Sequence, residues 1–275
     1  MNKGIRAIES VHAGRPLRGG DINQMFDGDL RERLKPFVFL DHFDVETDKE
    51  WGFHYHPHSG VATFTYTQTA DLKHVDTGGH AGVLEKGSVQ WMAAGGGIWH
   101  EELYQPSGGT VKGLQLWLTL PPELENAAVE YDQAAGSALP VVDQTRVLSG
   151  TFGEASSPIR TAYPFNYFDV SADRAWTFDP PADHDVIWLY TYEGAAIIGG
   201  KKVKPKHLVV FERGPGSIEV LPDGDQVGFV IGTAAASTHP LVVGQFSMHT
   251  NEVALAKGLK RIGELREVLQ NAGKL

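Results

Sequence analysis

Cysteine is absent from this chain. Disulfides, thiolate-ligated zinc and iron–sulfur clusters are therefore excluded, and the absence accords with a reducing compartment. Long apolar runs are missing as well. None approaches the ~20 residues needed to span a bilayer, and the opening Met1-Asn2-Lys3-Gly4-Ile5-Arg6 lacks the apolar core of a secretory signal. These absences lead us to expect a cytoplasmic protein without membrane contact. Positive charge is scarce: 24 Lys and Arg stand against 34 Asp and Glu, a formal net charge of −10. Direct nucleic-acid binding needs a basic face to displace counterions, so it is disfavoured. Contact with a basic protein partner is not. No Gly-x-Ser-x-Gly elbow, phosphate-binding Gly-Lys-Ser/Thr loop or dinucleotide-binding glycine fingerprint occurs.

What is present suits a folded soluble protein: 275 residues, 41% apolar and 10% aromatic. Most of the chain reads as short strands divided by turn signals, which points to an all-β barrel or sandwich. Pro36-Phe37-Val38-Phe39-Leu40 reads as a buried strand. Val61 to Thr67 alternates apolar or aromatic residues with threonine, and Val111 to Leu120 alternates up to Pro121-Pro122. The segment from Pro121 to about Ser137 reads as a linker, after which strands resume at Val186–Tyr192, Leu208–Phe211 and Val227–Gly232. A weak internal repeat aligns Leu84–Gly97 with Val203–Gly216. Carried forward, it sets Glu219 opposite His100 and Leu221 opposite Glu102. Asp183-His184-Asp185 reads as a solvated loop. From Thr250 or Asn251 a capped helix is expected, with Leu255, Leu259, Ile262, Leu265 and Leu269 on its packed face.

Two segments carry chemistry. Gly52-Phe53-His54-Tyr55-His56-Pro57-His58-Ser59-Gly60 spaces three histidines two residues apart. On a strand such residues share a face, with backbones about 6.5–7 Å apart, and two imidazoles there can lean onto one ion. Pro57 argues against a helix. Downstream, Gly95-Gly96-Gly97-Ile98-Trp99-His100-Glu101-Glu102 again places two ligand types, His100 and Glu102, two apart. Two strands each offering a same-face pair would make a cage of three imidazoles and one carboxylate. That donor set suits Fe(II), Mn(II), Ni(II) or Cu(II), and four protein ligands leave two positions on an octahedral ion.

The runs Leu34 to Phe43, His56-Pro57-His58-Ser59-Gly60, Leu84 to Trp91, Gly95 to Glu102, Gly113-Leu114-Gln115-Leu116-Trp117 and Phe246 to Glu252 closely resemble the pirin family. The resemblance covers nearly the whole chain and is strongest from Pro36 to Leu120. It implies a bicupin: a tandem double-stranded β-helix with a C-terminal α-helix and metal in the first barrel only. We therefore expect a metal-binding barrel over 1–134, a metal-free barrel over 135–245 and a strand and helix over 246–275. The resemblance assigns the ligands to His56, His58, His100 and Glu102, favours iron, and gives His54 no ligand role. The ordinary cupin motif has a glutamate soon after the His pair. Here that stretch is Ser59-Gly60-Val61-Ala62-Thr63, so Glu102 has to supply the carboxylate.

Several pirins resemble quercetinases in activity. The expectation is therefore a dioxygenase that opens a flavonol ring with O2 and releases carbon monoxide, with Glu102 as catalytic base. Phe53, His54 and Trp99 are expected to line the substrate pocket. The alternative that the resemblance implies is a metal- or redox-responsive regulator of a transcription factor or metabolic enzyme.

Overall fold

The computed structural model describes residues 4–26, 28–106 and 108–275, so Met1 to Lys3 of the opening segment lie outside the described residues. The chain forms two compact units, each assembled from separated stretches. One holds Phe37–Ser137, Ile159–Ala162 and Thr238–Leu275; the other holds Met1–Pro36, Ala138–Pro158 and Tyr163–Ser237. The expected division into 1–134, 135–245 and 246–275 is contiguous, whereas these units are assembled from separated stretches. The early strand Ile8–Ala13 belongs to the second barrel, where it pairs antiparallel with His207–Phe211 and extends its sheet.

The first barrel has two antiparallel sheets. In one, Glu130–Ala134, Val89–Ala93, Val61–Thr67, Thr110–Thr119 and Phe37–Glu46 adjoin in that order. In the other the order is Trp51–His58, Ile98–Gln105, Asp71–Asp76 and Ala81–Leu84. The strand expected over Pro36–Leu40 runs on to Glu46, since Phe43 and Val45 continue its buried positions. Val61–Thr67 is buried on both faces, which its alternating pattern does not suggest. Thr65 and Thr67 face polar partners rather than water. Thr65 Oγ1 lies 2.8 Å from Gln115 Oε1, and Thr67 Oγ1 donates to the Glu85 carbonyl at 2.9 Å.

The second barrel is likewise built from two antiparallel sheets. Ile8–Ala13, His207–Phe211, Val186–Glu193, Val227–Ala234, Asn166–Ala172, Thr145–Ser149 and Val141–Val142 adjoin in one, and Trp176–Phe178, Ile218–Pro222, Ala196–Ile198 and Lys201–Val203 in the other. Its core is apolar, with Phe168, Trp176, Leu189, Val209, Phe229 and Ile231 buried together. Ile218 and Val220 turn inward there, and Glu219 between them is only half-buried. His184, expected in a solvated loop, is instead buried, with Nδ1 2.7 Å from Thr233 Oγ1.

The C-terminal helix spans Glu252–Asn271. Asn251 caps it by accepting from the Ala254 N–H at 2.9 Å, satisfying one of the orphan donors of the first turn. Ala254, Leu255, Gly258, Ile262, Leu265 and Leu269 are buried, whereas Leu259, expected on the packed face, is exposed. Gly258 replaces it because the helix approaches too closely for a side chain. A Cβ there would lie 2.4 Å from Ser59 Oγ and 2.6 Å from His249 Nε2. Among the described residues no helix is long and apolar enough to cross a membrane.

Candidate metal centre

The Ile98–Gln105 strand sets the centre of the site. Its burial alternates strictly, placing Ile98, His100, Glu102 and Tyr104 inward and Trp99 and Glu101 on the other face. On the neighbouring Trp51–His58 strand, His58 pairs with Ile98 and His56 with His100, then the register shifts and Phe53 pairs with Glu102. This bulge inserts one extra residue and reverses the alternation between Phe53 and His56. His56 and His58 therefore face inward together, while His54 does not join them. Its exposed ring lies outside, with Nδ1 3.0 Å from Glu101 Oε1. The shared face expected for all three histidines holds for two.

The His56 and His100 ring centroids are 4.3 Å apart, His58 and His100 4.9 Å, and His56 and His58 5.0 Å. One ring nitrogen from each lies within 4.8 Å of the others. His56 Nδ1 leans on the His54 carbonyl at 2.8 Å and His58 Nδ1 on the Phe246 carbonyl at 3.3 Å, so Nε2 of each is left with its lone pair. His58 Nε2 and both nitrogens of His100 are buried without a hydrogen-bond partner. The edge of His58 also meets the Trp117 ring at 4.6 Å, which limits its rotation.

Glu102 stands slightly apart. Its Oε2 is 3.9 Å from His100 Nε2, and its Oε1 lies 3.2 Å from Thr65 Oγ1. It groups with His100 and His74 rather than with the full histidine triad, so the expected four ligands form two overlapping sets that share His100. Sequence reasoning missed His74, together with Thr65 and Asp76. The signal was there: His74-Val75-Asp76 repeats the same two-residue spacing.

Burial pushes the His56 imidazole below its ordinary value, partly offset by the nearby Glu102. His58 and His100 are pushed well below theirs by complete burial, and then by the neighbouring imidazoles. All three are thus held neutral, the state in which imidazole can bind a metal. Burial raises the Tyr104 phenol well above its usual range, with Glu102 adding to the shift. Burial also works against ionisation of Asp76, but hydrogen bonds from His74, Tyr131 and the His80 N–H outweigh it and hold the carboxyl below its ordinary value.

Of the residues expected to line a pocket, only Phe53 faces inward. Its ring is 6.0 Å from His56 and 5.5 Å from Trp51. Trp99 is turned the other way and donates its Nε1–H to the Ile262 carbonyl of the C-terminal helix at 2.8 Å. The strict alternation that buries His100 and Glu102 forces it outward.

Two antiparallel barrels in one chain, with a histidine and glutamate cluster inside the first, define a bicupin. The sequence model of the pirin family matches residues 20–118. A pirin-like protein of Caulobacter vibrioides is 31% identical over 223 residues, covering 76% of this chain and 81% of its own. A Pseudomonas aeruginosa protein, provisionally named a quercetin 2,3-dioxygenase, is 31% identical over 214 residues, covering 72% of this chain and 75% of its own. Among solved structures, the quercetin 2,3-dioxygenase of Acinetobacter baumannii superimposes with a TM-score of 0.86 at 22% identity, over 95% of this chain and 98% of that one. The chain belongs to the pirin family.

Proposed function

We propose that this protein binds one divalent transition metal through His56, His58, His100 and Glu102, and that it is a dioxygenase opening the ring of a flavonol-like substrate with O2. One observation carries the reading. Three neutral imidazoles converge with their inner nitrogens, and those of His58 and His100 are buried without a partner. A buried polar atom left unpaired costs about 1–3 kcal/mol, so a fold that assembles several without need would be penalised. A cation among them removes the penalty. The donors are imidazole nitrogens and a carboxylate with no thiolate, which suits Fe(II), Mn(II), Ni(II) and Cu(II). Iron is the first choice.

Bound there, a divalent ion supplies Lewis acidity toward a hydroxylated substrate. The remaining work falls to the chain. Thr65 Oγ1 lies 3.2 Å from Glu102 Oε1 and helps to orient this carboxylate, the group placed to accept the proton of the substrate's 3-hydroxyl. Trp51 and Phe53 follow one another beside His56, 5.5 Å between centroids, as an apolar wall against which a flat ring can lie. His54 and Trp99 have no part in that pocket. The Pseudomonas relative's name supports the choice of substrate class.

The test is oxygen uptake on adding quercetin to protein reconstituted anaerobically with each of the four ions. Uptake should require the metal and vanish in His56→Ala, which should lose the ion while keeping its β circular dichroism. Glu102→Gln should stay folded and lose about 10²-fold or more in rate, the usual worth of a positioned base. No uptake in protein shown to hold the ion would overturn the dioxygenase reading and favour a metal-responsive regulator.

A further inference from the structure

Beside the glycine turn that precedes Ile98 lies a cavity of about 590 Å³, wholly within the unit of the first barrel. Its walls come from that turn, from the loop 126–129, from Tyr131 and from the C-terminal helix. Roughly 300–1,000 Å³ is the ordinary size of a small-molecule site. None of His56, His58, His100 and Glu102 lines it, so it is separate from the metal cluster.

Small residues keep this space open. Gly96 and Gly97 border it, and Ala127, Ala128 and Val129 add an apolar surface. Gly97 has a φ of +145°, and a Cβ there would lie 2.9 Å from Ile262 Cγ2 and 3.1 Å from Arg261 Cγ. The missing side chain lets the helix close on the turn, which brings the stem of Arg261 to the cavity wall. Asn126 ties the loop to the same helix, donating from Nδ2 to the Ala254 carbonyl at 3.2 Å. Turn, loop and helix thus form one joined wall.

The charge on that wall has one sign. Lys257 and Arg261 line the cavity four residues apart on the helix, hence side by side, and no Asp or Glu lines it. Tyr131 stays neutral, because burial and its hydrogen bond to Asp76 raise the phenol far above its ordinary range. Among the described residues Lys257 makes no ion pair. Arg261 has Glu264 at 3.6 Å, a carboxylate shared with Lys260 at 3.5 Å. Like charges at this spacing repel one another unless an anion joins them. The glycine N–H groups are already committed, Gly96 to the Ala127 carbonyl at 2.9 Å and Gly97 to that of Ala94 at 3.0 Å. Recognition of an anion therefore falls to the two side chains.

We propose that this cavity binds a small organic anion, its carboxylate or phosphate paired with Lys257 and Arg261 and its apolar body against Ala127, Ala128 and Val129. The site does not depend on the metal centre, and no step of the proposed reaction uses it.

The experiment is an NMR titration of the full-length protein with benzoate and with phenyl phosphate, following the amides of Gly78, Gly96 and Gly97. At least one of the two should give saturable shifts that weaken as salt is raised. Lys257→Ala combined with Arg261→Ala should bind about tenfold or more weakly, the scale of a lost charge-assisted contact. Benzyl alcohol lacks the charge and inorganic phosphate lacks the body, so each should bind more weakly still than the anion that has both. The shifts should persist in His56→Ala. No saturable shift with either anion, unaltered affinity in the double variant, or loss of binding in His56→Ala overturns the proposal. Inorganic phosphate binding as tightly as both organic anions overturns it too. Both replaced side chains are exposed, so the variant should keep its β circular dichroism, and the two single variants repeat the test.

Discussion

Single residues decide which side chains meet in this site. The extra residue between Phe53 and His56 turns His54 out to Glu101 and brings Phe53 in beside Glu102. Nothing in the spacing of the three histidines announces that reversal, because a bulge is a property of two paired strands. Gly258 makes the same point on the helix. Glycine in a helix interior ordinarily costs up to about 1 kcal/mol relative to alanine, so Gly258→Ala would be expected to stabilise. Here the new Cβ would meet Ser59 Oγ and His249 Nε2 at 2.4 and 2.6 Å, and Ser59 adjoins His58. Overpacking of that kind costs about 1–3 kcal/mol. Gly258→Ala should therefore lower stability in urea unfolding by roughly that amount, and a gain would show that the helix does not seat on this network.

At the scale of elements, strands and helix differ in how far local sequence reveals them, for physical reasons. The helix announced itself through its cap, its first-turn Glu252 and its apolar spacing. Removing the cap in Asn251→Ala should cost about 1 kcal/mol, seen as a lowered urea midpoint with an unchanged slope. A change below a few tenths would mean that packing alone holds the first turn. Strands were legible where one face is apolar, as at Thr110–Thr119. The polar inner face of Val61–Thr67 was not, since threonine reads the same whether it meets water or a buried Glu102. His74-Val75-Asp76 was overlooked because its partners, His100, Glu102 and Tyr131, are remote in sequence.

At the scale of the whole molecule, buried histidines set the response to pH. His56, His58, His100, His184 and His249 all lie below the ordinary histidine value of 6.5, burial being the largest cause in each. The unfolded chain takes up protons near 6.5 while the folded one does not, so stability rises with pH through that window and is lost as pH falls below it. His58 and His100, the two pushed furthest, should make the metal-free protein less stable near pH 5 than near pH 7. Metal loading should deepen the dependence, because protons compete for the same nitrogens. Guanidinium unfolding of the metal-free protein at the two pH values checks the sign, and a flat profile would show that these rings are solvated.

By itself the sequence determined the all-β class, the C-terminal helix, and the histidine and glutamate pairs of the first barrel. Each rests on local periodicity, spacing or a run of residues that a reader of the chain can see. Only the tertiary structure decided that Ile8–Ala13 joins the sheet of the second barrel and that Thr238–Leu275 returns to the first. It alone placed His54 and Trp99 outside the cluster and set His74 beside His100. Those outcomes depend on strand register and on pairing between distant segments, whose energies no local pattern encodes.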